Sequence, residues 1–208
     1  MGLFSKAIEQ AQTADDPYLD GLVVQGETLD ASQSLQFYEI HNGEFDHCVL
    51  SGVDFRKASF YDCTFVGCDL SNARLDEAFC ARSRFVGCKL EGVRLTQAIL
   101  RSVRMRECMC RYANMGEATF ENVTLQGCDM REAFLSEVKF RRGTRLDGCD
   151  LMRADLFRTS LKGLDLSTCH IAGISVSDTR AELNGAIISA DQAVDMVGLL
   201  GLRVKEYE

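Results

Sequence analysis

CVLSG VDFRK ASFYD CTFVG CDLSN, residues 48–72, is the stretch that decides the fold. Each block of five opens on a small residue and carries a large apolar one in third place. The pairs are Cys48 and Leu50, Val53 and Phe55, Ala58 and Phe60, Cys63 and Phe65, Cys68 and Leu70. The large series extends in both directions, from Leu35 and Ile40 to Leu135 and Phe140, and all 22 positions at this spacing are apolar. The small series, two residues earlier, holds only Cys, Val, Ala and Ser from Cys48 to Val138. Glycine recurs two residues after the large one, as at Gly52, Gly67, Gly87, Gly92, Gly127, Gly148 and Gly163.

A period of five fits neither a helix at 3.6 nor a continuous strand at 2. It fits a three-residue strand fragment, inward-outward-inward, followed by a two-residue corner where Gly and Asn supply positive φ. Such a repeat makes a solenoid, in which each unit buries its apolar side only against its neighbours. Cys48, Cys68, Cys88, Cys108 and Cys128 recur every 20 residues, and Cys149 and Cys169 continue the column after a slip of one. Ala58, Ala78, Ala98 and Ala118 form a second column at the same period. Twenty residues per coil means four faces, so the spacing predicts a square rod of roughly seven coils, on the order of 35 Å long at the strand spacing of about 4.8 Å. The slip falls at Arg141-Arg142-Gly143 and reads as a three-residue corner, after which Leu146, Leu151, Leu156, Leu161, Leu166, Ile171 and Val176 resume the series.

The alternation of small residue, outward residue, Leu or Phe and two corner residues resembles the pentapeptide-repeat proteins, as in Cys-Asp-Leu-Ser-Asn at 68–72 and Ala-Asp-Leu-Phe-Arg at 154–158. The resemblance covers about 45–185 and implies a right-handed quadrilateral β-helix, an all-β fold. Near the C-terminus, Leu183-Asn-Gly185, Gln192-Ala193 and Leu200-Gly-Leu-Arg-Val204 are similar to the end of the quinolone-resistance (Qnr/MfpA) type. That likeness implies a tail-to-tail homodimer and a DNA mimic that binds DNA gyrase or topoisomerase IV. The long loops of several Qnr proteins have no counterpart here after residue 35.

The ends need caps, because a stack of coils has two open edges. Residues 3–12 read as an amphipathic helix with Leu3, Phe4, Ala7, Ile8 and Ala11 on one side. Ser189-Ala-Asp-Gln192 is a capping box. It starts a helix whose apolar positions Ala193, Val194, Val197 and Leu200 serve either dimerisation or capping alone, with Leu202–Val204 as a returning strand. The expected organisation is an N-terminal helix and lead-in segment over 1–34, the repeat rod over 35–180, and the capping or dimerisation tail over 181–208.

The chain has 208 residues, no Trp and one Pro, Pro17. It lacks both a run of 18 apolar residues and the basic-then-apolar order of a signal peptide, so a cytosolic protein without a membrane role is expected. The net charge of −8 is concentrated at the start. Residues 1–40 carry seven acids and one base, whereas residues 80–111 carry eight bases and two acids. A DNA mimic needs about one negative charge per 1.7 Å of axis. The +6 of the basic band opposes that role.

The cysteine column reads as packing, since parallel in-register thiols form a line and do not converge on a metal. His41, His47 and His170 are scattered, and no nucleophile elbow, P-loop or zinc-protease motif occurs, so neither enzyme activity nor a cofactor is expected. Arg84 and Arg104 share one outward column, Arg106 lies on the same face and Arg145 rejoins the column later. These arginines are the candidate partner surface, set against the plainer reading of a solvated belt. Direct nucleic-acid binding is not expected, given the net charge of −8 and the absence of interleaved outward aromatics.

Overall fold

The computed structural model describes residues 2–14, 17–199 and 201. The five-residue series closes into a right-handed, four-sided parallel β-helix, with the small and large series buried together along the axis. One face stacks Tyr18–Asp20, Glu39–His41, Ser59–Tyr61, Phe79–Ala81, Ile99–Arg101, Thr119–Glu121 and Lys139–Phe140 as a seven-stranded sheet. The next stacks Val23–Gln25, Glu44–Asp46, Thr64–Val66, Arg84–Val86, Arg104–Arg106, Thr124–Gln126 and Arg145–Asp147 in the same way. The strands are centred on the large inward residue, so they run outward-inward-outward and start one position later than the expected frame. The other two faces are held by single bridges at the outward residue, such as Val49↔Asp69↔Lys89 and Asp54↔Arg74↔Arg94.

Corners explain why so short a strand repeats. The second corner residue is left-handed whether or not it is glycine: φ is 58° at Lys57, 58° at Glu77, 60° at Gln97 and 60° at Gly87. That conformation turns the N–H along the rod, and Lys57, Glu77 and Gln97 donate to the carbonyls of Asp76, Thr96 and Gly116 in the next coil at 2.8–3.0 Å. Intercoil hydrogen bonds thus continue around the corners and offset the strain of a non-glycine residue in this region. Inside, the large column stacks at the coil rise, with Phe45 and Phe65 ring centroids 4.7 Å apart and Phe65 and Phe85 4.8 Å apart.

The rod starts a full turn before the expected boundary at residue 35. Leu19, Val24 and Leu29 are inward members of the same series. They lie one residue out of frame, since the offset between coils is 21 at Thr28↔Val49 and 20 at Ser34↔Asp54. The extra residue sits in the corner around Asp30–Gln33, where Asp30 accepts the Ser32 N–H at 2.7 Å. Pro17, Leu22 and Glu27 occupy the small positions of this coil, which is why the sequence pattern hides it. The corner at Arg141–Gly143 is three residues long, as read: the offset returns to 21 at Thr124↔Arg145, and Gly143 takes φ 83°.

Helix α1 (Leu3–Ala14) covers the first coil with Phe4, Ile8 and Ala11 buried, while Leu3 is exposed. Phe4 rests on Phe45 at 5.2 Å. Glu27, at the head of the cysteine column, accepts the Leu3 N–H at 2.6 Å and the Phe4 N–H at 3.1 Å, a carboxylate at the positive end of the helix.

At the other end, helix α2 (Ala190–Leu199) opens on the expected capping box. The Gln192 side chain accepts the Ser189 N–H at 2.7 Å, and Ser189 Oγ accepts the Gln192 N–H at 3.3 Å. The helix is rotated relative to expectation. The Gln192 amide donates to the carbonyls of Leu166 and Cys169, which turns Met196 and Leu199 onto the last coil. Ala193 and Val194 are consequently exposed and Val197 half-buried, so these residues are not the capping face. Leu200 and the expected strand at 202–204 lie outside the described residues.

Candidate functional site

Arg84 and Arg104 are register partners on adjacent strands, each pointing outward beside a small inward residue. They line a shallow groove of about 500 Å³ between one row of corners and the sheet that carries them. Asp62, Arg82, Ser102 and Asn122 form its corner side, and Thr64, Arg84, Arg104 and Thr124 its strand side. Two periodicities build it. The corner row and the outward row each repeat every 20 residues, and the small series (Cys63, Ser83, Val103 and Val123) keeps the floor between them low.

Most of the basic band is neutralised by carboxylates. Arg82 pairs with Asp62 at 2.6 Å, Arg94 with Asp76 at 3.2 Å, Arg101 with Glu121 at 2.8 Å, Arg106 with Glu107 at 3.0 Å and Arg111 with Asp129 at 2.7 Å. The Arg82 guanidinium holds the Asp62 carboxyl below its ordinary range. Arg84, Arg104 and Lys89 pair with no acid among the described residues. Arg84 reaches only the Thr64 hydroxyl, at 3.3 Å. Two like charges directly opposite on neighbouring strands repel each other, and here no carboxylate pairs with either of them. The three sequence candidates therefore divide: Arg84 and Arg104 line one groove, while Arg106 points outward on the same face and is engaged by Glu107.

The cysteine column has a structural explanation that spacing alone could not supply. All ten cysteines are free and buried. Along the column the six thiols from Cys48 to Cys149 donate to the carbonyl of a large residue in the preceding coil, as with Cys68 to Phe45 at 3.3 Å, Cys88 to Phe65 at 3.4 Å and Cys108 to Phe85 at 3.5 Å. Among the described residues no three of His, Cys, Asp and Glu converge on a point that could hold a metal ion. No helix among them is long and apolar enough to cross a membrane.

Outward aromatics, taken from the sequence as missing, are present on the first sheet. Tyr18, His41, Tyr61 and Phe79 form a continuous run with ring separations of 5.1, 4.5 and 5.5 Å. Tyr18 and Phe79 precede the large inward residue of their strand, whereas His41 and Tyr61 follow it. The run therefore crosses between two columns, and a scan at fixed period five does not find it.

A family model described as pentapeptide repeat region matches residues 38–115, and one for pentapeptide repeats (8 copies) matches residues 104–142 and 142–171. No curated protein matches the chain. Among solved structures, a trypsin-treated form of QnrB1, a plasmid-mediated fluoroquinolone resistance protein, is 20% identical over 89% of this chain and 99% of its own, with a TM-score of 0.43. HetL, involved in heterocyst differentiation regulation in the cyanobacterium Nostoc, is 20% identical over 90% of this chain and 92% of its own, with a TM-score of 0.36. A pentapeptide repeat protein of the Arabidopsis thaliana thylakoid lumen is 19% identical over 69% and 84%, with a TM-score of 0.33. The two family models overlap and together cover the five-residue blocks from residue 38 to residue 171, and the chain belongs to the pentapeptide-repeat proteins.

Proposed function

We propose that this protein is a non-enzymatic, cytosolic docking rod that holds a protein partner by an acidic segment laid in the Arg84–Arg104 groove. One observation carries the reading. Five of the eight bases in the band 80–111 are matched to carboxylates, and two of the unmatched ones stand in register in the same groove. Thr64, Ser102, Asn122 and Thr124 add hydroxyl and amide groups that suit carboxylate oxygens. A surface groove without a water-excluding pocket favours binding over catalysis. The test is titration with an aspartate-rich peptide by calorimetry. Binding that weakens at least tenfold in Arg84→Ala/Arg104→Ala, and weakens with added salt, supports the reading. Equal binding by the double variant overturns it.

The C-terminal likeness to the Qnr/MfpA type supports a second reading, a DNA mimic that binds a type II topoisomerase as a tail-to-tail homodimer. Ala193, Val194 and Val197 on the outward side of α2 would supply that contact. Charge counts against it, because a mimic needs an unbroken acidic face. Each face is crossed by bases: Lys89 and Arg111 on one, Arg74 and Arg94 on the next, Arg82 and Arg101 on the third, Arg84, Arg104 and Arg106 on the fourth. A gyrase supercoiling assay with titrated protein, with and without a quinolone, separates the two. Inhibition or protection at micromolar protein favours the mimic, and no effect removes it.

A further inference from the structure

The sheet that carries the outward aromatics has opposite characters at its two ends. Its first rows present Tyr18, Asp20 and Glu39; its last presents Lys139, with Arg141 following directly after the last paired residue, Phe140, at the exposed start of the three-residue corner. Between them lie the partly exposed rings of Tyr61 and Phe79 and the exposed side chain of Ile99. Neither Lys139 nor Arg141 pairs with an acid among the described residues.

From this face we infer that the protein associates with a second copy of itself, sheet against sheet and antiparallel, about a two-fold axis level with Phe79–Ala81. An axis lying between the copies along the strand direction inverts the order of the rows and keeps each position along the strand opposite its own kind. Seven rows then match around the central one. Phe79 faces Phe79, Tyr61 faces Arg101, His41 faces Glu121, Asp20 faces Arg141, and Tyr18 faces Lys139. Phe79–Phe79 is apolar and Asp20–Arg141 is opposite in charge. Tyr61–Arg101 and Tyr18–Lys139 set a cation against an aromatic ring, and the His41 ring can donate to the Glu121 carboxylate. Every pair off the axis occurs twice, as an isologous contact requires.

Two other arrangements of this face fail on charge. Moving the axis to lie between the third and fourth rows sets Asp20 against Glu121. Turning the copies parallel sets Lys139 against Arg141 and places Asp20 and Glu39 of both copies together. The size of the face fits a modest interface. Seven rows at about 4.8 Å, by a width of roughly 15 Å, bury about 900 Å² in total, below the roughly 1,200 Å² of stable interfaces and within the range of weak, transient ones. A weak dimer follows, and the arginine groove on the adjoining sheet remains open.

Sedimentation velocity of the full chain, from about 5 to about 200 μM, tests the inference. The expected result is a mass rising from 23.1 kDa toward twice that value over this range. Asp20→Arg and Arg141→Asp, both at exposed positions, are each expected to weaken association at least tenfold. The double variant that carries both is expected to restore it, because the charge pair is exchanged and not removed. A monomer throughout overturns the inference. So does a dimer indifferent to these substitutions and abolished by Val194→Asp, which would place the contact at the C-terminal helix.

Discussion

Cys80 occupies a large inward position that Leu, Ile or Phe fills in most coils, and it lies beside a small apolar void lined by Leu75, Phe85, Leu95 and Leu100. Burial pushes the Cys80 thiol up to about 12; it pushes Cys63 up to about 11 against the lowering effect of hydrogen bonds with the Gly43 and Tyr61 backbone, and it moves Cys110 in the same direction. The consequence for stability has a definite sign. In the unfolded chain these thiols ionise near pH 9, whereas in the folded rod they stay protonated until higher pH. Their contribution is therefore intact below about pH 9 and is lost as pH rises through their folded values, for Cys80 and Cys63 at roughly 2–3 kcal/mol each by pH 11. Urea midpoints at pH 7.5, 9 and 10.5 are expected to be flat across the first interval and to fall across the second, with a shallower fall in Cys80→Val. A midpoint that holds to pH 10.5 would contradict the assignment. The sequence already placed these residues inside, because burial follows directly from a fixed period. It gave no sign that thiols such as Cys68 and Cys88 bond to carbonyls of the preceding coil, since that contact depends on how neighbouring coils are stacked.

At the scale of elements, the C-terminal cap shows how a buried carboxylate organises a turn. Glu182 belongs to the short 3₁₀ segment Ala181–Leu183 and is buried. Its Oε1 accepts the N–H of Arg158 at 2.8 Å and of Ser177 at 3.2 Å, and Oε2 accepts the Ser177 hydroxyl at 2.9 Å. Burial alone would raise this carboxyl. The hydrogen bonds from its own backbone N–H, from Ser177 and from Arg158 outweigh that effect and hold it below the ordinary glutamate range. Beside it, Arg180 donates to the Leu199 carbonyl at the end of α2, so turn and helix are locked to one coil. Glu182→Ala strands two backbone donors and a hydroxyl, and is expected to cost about 2–4 kcal/mol. In a stacked rod each coil contacts only its neighbours, so the loss should stay local. Hydrogen exchange is expected to speed up over residues 158–199 and to remain unchanged in the strands between Glu39 and Gln126. Uniform acceleration along the chain would show that the rod unfolds as one unit instead. The capping box at Ser189–Gln192 was legible because its spacing is fixed by the helix. The rotation of α2 was not, since it is set by the Gln192 side chain reaching carbonyls of a coil more than 20 residues earlier.

Over the whole molecule, the interior follows from period and residue size, while the surface depends on which columns the corners bring side by side. That is why the four faces and the cysteine column could be read in advance, and the groove and the aromatic run emerged only from the assembled coils. The same logic governs the ends. Every inner strand is paired on both sides, but Tyr18–Asp20 and Val23–Gln25 are paired on one side only. Their free edge and the apolar Leu19, Val24 and Leu29 are the surface that α1 protects. Short helices are marginal by themselves, so α1 owes its order to Phe4, Ile8 and Ala11 on that coil and to the Glu27 carboxylate at its N-terminus. Phe4→Glu places a charge on the Phe45 ring and is expected to remove about 3–5 kcal/mol of docking, the range for deleting a buried aromatic side chain. Most of the rod should stay folded, with its far-ultraviolet spectrum nearly unchanged. The uncovered edge should then template pairing with other chains. Light scattering is expected to grow faster than for the unsubstituted protein, in a concentration-dependent way, and Asp20→Arg should leave that growth in place because edge pairing does not pass through the face. If Phe4→Glu remains as monodisperse as the parent, the first coil protects its own edge and α1 serves some purpose other than capping.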